Sequence, residues 1–70
     1  SSLAALMQGH AHREAGDEAA AEAAYREALR RQPLRTEAYD ELGRMLSAQG
    51  RTGEAEELQR RRRALDWRTP

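Results

Sequence analysis

His10, His12 and Glu14 stand within one short stretch of the chain, and imidazoles grouped with a carboxylate are common donors for a zinc-like ion. On a helix of 3.6 residues per turn His10 and Glu14 share a face, while His12 points roughly 200° away from His10. Only two donors converge, so no metal site is expected and the histidines read as surface residues. A protonation-dependent contact of His10 with Glu14 or Asp40 is the chemistry left open to it. Arg60, Arg61, Arg62 and Arg63 form a second cluster, of the kind that marks nucleic-acid or nuclear-import patches. Four successive helical residues point in four directions, however. Glu56–Arg60 and Glu57–Arg61 also have the order of favourable i,i+4 pairs, and cations suit a helix C-terminus. The run reads as a solvated helix end, and no nucleic-acid partner is expected. No glycine-rich phosphate loop, nucleophile–base pair or carboxylate dyad stands out. Neither catalytic nor cofactor-binding residues are expected, nor a small-molecule substrate, and the chain does not read as an enzyme.

The residues that could position such groups are almost all helix formers. Val, Ile and Phe are absent, while Ala, Leu, Glu, Arg and Gln dominate. With the β-branched and aromatic residues that favour strands nearly gone, the chain reads as all-α. Seventy residues suffice for one small domain, here residues 1–70, with a modest core. No cysteine is present, which excludes disulfides and thiolate metal sites. Net charge is zero with 34% charged residues, so no bulk field directs the chain to nucleic acid or membrane. No apolar run approaches the ~20 residues of a membrane span, and no signal-peptide pattern opens the chain. A cytoplasmic location is expected. All 12 basic residues are arginine, which points to GC-rich coding and a bacterial source. The chain does not open with methionine, and we expect it to be an excerpt or a processed product.

Stop signals divide the chain into four helices. Ser2 is placed to cap the first, which carries Leu3, Leu6, Met7 and Ala11 and ends at Gly16, suited to a left-handed C-cap. Asp17 caps the second, through Ala21, Tyr25, Ala28 and Leu29 to the stop at Pro33. Thr36 is placed to cap the third, with Glu37 in its first turn and Tyr39, Leu42, Met45 and Leu46 along it to Gly50. Thr52 opens the fourth, which runs past Ala55 and Leu58 to about Leu65. Links of two to four residues make consecutive helices antiparallel neighbours.

The punctuation recurs at an offset of 34: Gly9 with Gly43, Gly16 with Gly50, Ala21 with Ala55. A fixed period in this range marks a repeat architecture, whose work is usually contact rather than chemistry. Gly9 and Ala21 face each other around the turn at Gly16, and Gly43 and Ala55 around Gly50. Small residues there are expected to let each helical pair approach closely. Ala28 extends the seam, and Tyr25 and Tyr39 are sized to fill the wedge between pairs. In the fourth helix Ala55, Leu58, Arg62 and Leu65 form one stripe that only the Arg62 stem interrupts, so this helix reads as a cap with a water-compatible outer face.

The first pair resembles a tetratricopeptide repeat in Gly9, Gly16-Asp17, Ala21, Tyr25, Ala28 and Pro33. The second supplies Tyr39, Leu42-Gly43, Leu46, Gly50 and Ala55. The resemblance covers about two repeats, one over about 2–35 and one over about 36–69. It departs from the family at Ala5, Gln8 and His12, at Gln59 and Arg62, and at Trp67 where proline is usual. It implies two stacked helix-turn-helix units, an α-solenoid fragment that serves as a protein-interaction module or scaffold. By the resemblance, the first helix of each pair lines a concave groove: Leu3, Leu6, His10 and Arg13, then Glu37, Asp40, Arg44 and Ser47. An extended peptide with an apolar residue and a charge would suit it; the alternative is that these residues are solvated surface. The family's carboxylate clamp for chaperone tails needs Lys and Asn, where Leu6 and His10 stand here, and no clamp is expected.

Leu3, Leu6 and Met7 also add apolar surface beyond what the seam requires. An upstream repeat, a second copy in a homodimer, or a bound ligand could cover it. Trp67 is expected to fold back over the end of the core, with an interface anchor as the alternative.

Overall fold

The computed structural model describes residues 1–66, and Trp67 lies outside them. Four helices follow one another: α1 (Ser2–Glu14), α2 (Glu18–Arg31), α3 (Thr36–Ala48) and α4 (Thr52–Asp66). No strand occurs among the described residues. The helices pack as two hairpins, α1 on α2 and α3 on α4, joined through α2 and α3.

Both intra-hairpin turns close in the same way. Gly16 and Gly50 have φ of +82° and +76°, a region glycine enters without a Cβ penalty. Around the first, the Asp17 amide donates to the His12 carbonyl at 2.9 Å and Gly16 to Arg13 at 3.0 Å. Around the second, Arg51 donates to Leu46 at 2.9 Å and Gly50 to Ser47 at 3.0 Å. These are Schellman motifs, and each atom of the second lies 34 residues after its counterpart in the first. The repeat is thus written in backbone hydrogen bonds as well as in residue types. Pro33 also acts as expected, since Gln32 before it is extended (φ −141°, ψ 93°) and ends α2.

Two caps differ from the sequence expectation. Ser1, not Ser2, caps α1: its Oγ accepts from the Ala4 amide at 3.1 Å. Ser2 is buried one position further in, donates its hydroxyl to the Ala28 carbonyl at 2.8 Å and accepts from Arg35 Nε at 2.6 Å. It ties the start of α1 to the end of α2. Thr36 likewise is the first residue inside α3; Arg35 holds the cap position and makes no side-chain cap bond. Asp17 caps α2 as read, accepting from the Ala20 amide at 3.1 Å.

The core contains Ala5, Leu6, Ala21, Tyr25, Ala28, Ala38, Leu42, Met45, Leu46, Ala55 and Leu58, with Leu29 and Tyr39 packed against it. Tyr25 is wholly enclosed. Its ring occupies the space a Gly9 side chain would need, because a Cβ there would lie 2.5 Å from Tyr25 Cε1. The second crossing is different. A Cβ at Gly43 would meet nothing within 4 Å, and Gly43, Ser47, Thr52, Ala55, Glu56 and Gln59 line an open depression. The room left by the missing side chain is therefore taken by the Tyr25 ring at Gly9 and stays open at Gly43. Gln59 stands 34 residues after Tyr25 and is exposed, so no ring fills the second site.

Candidate protein-binding face

Helices α1 and α3 are linked across the hairpin boundary by charge. Arg13 pairs with Glu41, whose other carboxylate oxygen takes Arg44. One turn away, His10 Nε2 lies 3.4 Å from Glu37 Oε2, and His10 Nδ1 shares a 2.9 Å hydrogen bond with the buried Tyr25 hydroxyl. The two rings meet edge-on at 5.6 Å. Burial pushes the Tyr25 phenol above its ordinary range. Burial works against ionisation of Glu41 as well, but the hydrogen bond and charge of Arg13, with Arg44, outweigh it and hold the carboxyl below its usual value.

The opposite flank is tied in parallel fashion. Glu22 of α2 accepts from both Arg51 terminal nitrogens at 2.6 and 3.1 Å and faces Arg26 at 3.0 Å. Chiefly through Arg51, its carboxyl is held below the ordinary range. Gln49 Nε2 donates to Glu18 at 3.1 Å nearby. Glu22 and Glu41 were not legible as linchpins in the sequence. Glu41 gives one signal, its spacing of three from Arg44, but its principal partner Arg13 is 28 residues away.

Of the residues expected on the groove, His10, Arg13, Glu37 and Arg44 join these contacts. Asp40 instead faces α4, where its Oδ1 accepts from Arg62 Nε at 3.2 Å. Ser47 is exposed at the rim of the Gly43 depression. Leu3 is 53% exposed, whereas Leu6 is 1% exposed and belongs to the core. Leu6 thus drops out of the exposed face, because it is enclosed within the core cluster. His10 engages Glu37 rather than Glu14 or Asp40. In the arginine run, Glu57 takes both Arg60 and Arg61, and Arg62 is shared by Asp40 and Asp66. No group of three or more His, Asp or Glu side chains suited to a metal ion lies among the described residues.

Two helical hairpins with the same turn chemistry 34 residues apart define a helical-repeat protein. The family model described as Tetratricopeptide repeat matches residues 4–33, so the first hairpin is similar to a tetratricopeptide repeat. Neither curated proteins nor solved structures return a match. Tetratricopeptide repeats generally mediate protein–protein interaction and typically act as non-enzymatic scaffolds. No helix among the described residues is long and apolar enough to cross a membrane.

Proposed function

We propose that this chain is a protein-interaction module that takes an extended peptide, or a partner's exposed segment, across the paired faces of α1 and α3. The observation that carries the reading is the bridging of these two helices by Arg13, Glu41, Arg44, His10 and Glu37. Those contacts hold the faces at a fixed spacing, with Leu3 exposed at one end and mixed charge at the other. A face organised before the ligand arrives spends less free energy on ordering. Because Glu41 is already neutralised by Arg13, the groups with most reach toward a ligand are Glu37 and Arg44, 60% and 71% exposed at the side chain. A peptide carrying both signs of charge suits them better than a purely acidic tail.

The test is a titration of isotope-labelled protein with peptides selected from a displayed random library. Shifts clustered on Leu3, His10, Arg13, Glu37, Arg44 and Ser47, abolished by Arg44→Glu, support the reading; shifts confined to α4 overturn it. A second reading, self-association through α1, rests on the exposure of Leu3 and Met7, both above half. Sedimentation over a wide concentration range decides it, since a monomer throughout removes the dimer.

A further inference from the structure

We propose that the depression between α3 and α4 binds a single arginine side chain of a partner protein, held by Glu56. The first hairpin shows what this position of the repeat does. Glu22 of α2 accepts from both terminal nitrogens of Arg51, at 2.6 and 3.1 Å, and Glu18 beside it accepts from Gln49 Nε2 at 3.1 Å. The offset of 34 puts Glu56 in the place of Glu22 and Thr52 in that of Glu18. Both line the depression, together with Gly43, Ser47, Ala55 and Gln59. Glu56 makes no ion pair among the described residues, because its i+4 neighbour Arg60 turns to Glu57, Nη2 to Oε2 at 2.5 Å. A carboxylate that is occupied in the first hairpin is therefore open in the second.

The chemistry of the lining selects the group. Glu56, Gln59, Ser47 and Thr52 all offer oxygen acceptors, and a guanidinium carries five N–H donors in a planar fork that meets a carboxylate with two parallel bonds. An ammonium is a point charge and makes no such match. The floor leaves space for a flat group, since a Cβ at Gly43 would meet nothing within 4 Å. At about 230 Å³ the depression is smaller than the roughly 300–1,000 Å³ of pockets that take whole ligands, so one side chain is the unit that fits. The Glu56 charge opposes a carboxylate or phosphate there. The flanking arginines are already engaged: Arg51 by Glu22 and Glu54, Arg60 and Arg61 by Glu57, Arg62 by Asp40 and Asp66. The arginine therefore comes from another molecule. Only Ser47 is shared with the α1–α3 face, and the inference stands independently of the peptide-binding reading.

Titration of isotope-labelled protein with N-acetyl-arginine amide tests this, with N-acetyl-lysine amide as the control. Arginine should give saturable shifts at Gly43, Thr52, Glu56 and Gln59, with a Kd on the order of millimolar. Binding should weaken about tenfold or more for the lysine probe and for Glu56→Gln. Glu56 is exposed, so that variant keeps the fold. Gly43→Leu grows into the open space and should abolish binding with the charge still in place. Equal binding of the two probes overturns the proposal, as does arginine binding that survives Glu56→Gln, or no saturable shift at all. A response abolished by Arg44→Glu but not by Glu56→Gln would assign the probe to the α1–α3 face and overturn it too. So would a dimer dissolved by Glu56→Gln, because the arginine would then belong to a second copy.

Discussion

Gly9 and Gly43 occupy one position of the repeat and ask for opposite outcomes when a methyl group is added. At Gly9 the new Cβ would fall 2.5 Å from a ring that is enclosed and held by His10 at its hydroxyl. Neither partner can step aside cheaply, so Gly9→Ala is expected to cost about 1–3 kcal/mol through overpacking. At Gly43 nothing lies within 4 Å, and Gly43→Ala should gain roughly 0.5–1 kcal/mol from helix propensity alone. Urea midpoints of the two variants check both signs; equal shifts would contradict the asymmetry. Glu41 supplies a pH prediction at the same scale. Its folded carboxyl titrates below its unfolded value of 4.5, so the unfolded chain binds the proton first. The stabilisation is whole above the unfolded value and is lost as pH falls through the folded one. Glu22 acts in the same sense. Glu41→Gln should therefore lower stability at neutral pH and flatten its decline below about pH 5. An acid limb identical to that of the parent would mean that Arg13 contributes nothing through Glu41.

At the scale of elements, the second hairpin is the first with its aromatic removed. Tyr25 fills the space over Gly9, and Gln59 leaves the corresponding space over Gly43 open. Gln59→Tyr should recover part of that packing, with a gain of roughly 1 kcal/mol, since one face of the ring would stay in water. Combining it with Gly43→Ala should then lose the benefit of each, because the new ring and the new methyl compete for one space. A thermal-melt double-mutant cycle reads this directly, and strict additivity would sink it. The turns and the period could be read from the chain because they rest on local chemistry: glycine at positive φ, a carboxylate at Asp17, proline after α2. Caps were harder. Ser1 and Ser2 are equivalent to any local rule, and what separates them is the Ala28 carbonyl, 26 residues away. The resemblance puts Leu6 on the groove, whereas tertiary packing buries it in the core. The open seam at Gly43 was likewise invisible to a rule that treats every small residue at a crossing as a contact.

Across the whole molecule, stability should fall off from the centre of the stack. In a repeat array each unit is held by its neighbours, so helices covered on both sides open last. Here α2 and α3 meet across the hairpin boundary, and each also packs on its own hairpin partner. They hold the fully enclosed Tyr25, Ala28, Ala38, Leu42 and Leu46. The flanking ties reinforce the same boundary, Arg13–Glu41 on one side and Arg51–Glu22 on the other. By contrast, α4 buries only Ala55 and Leu58 and is polar from Gln59 through Arg63. Ion pairs among exposed side chains there, such as Glu57 with Arg60, contribute little. Hydrogen exchange on the native protein should accordingly find the slowest amides in α2 and α3, intermediate ones in α1, and the fastest helical amides between Gln59 and Asp66. Amides of α4 exchanging as slowly as those of α3 would show instead that the chain opens as one unit, with no gradient from its centre to its ends.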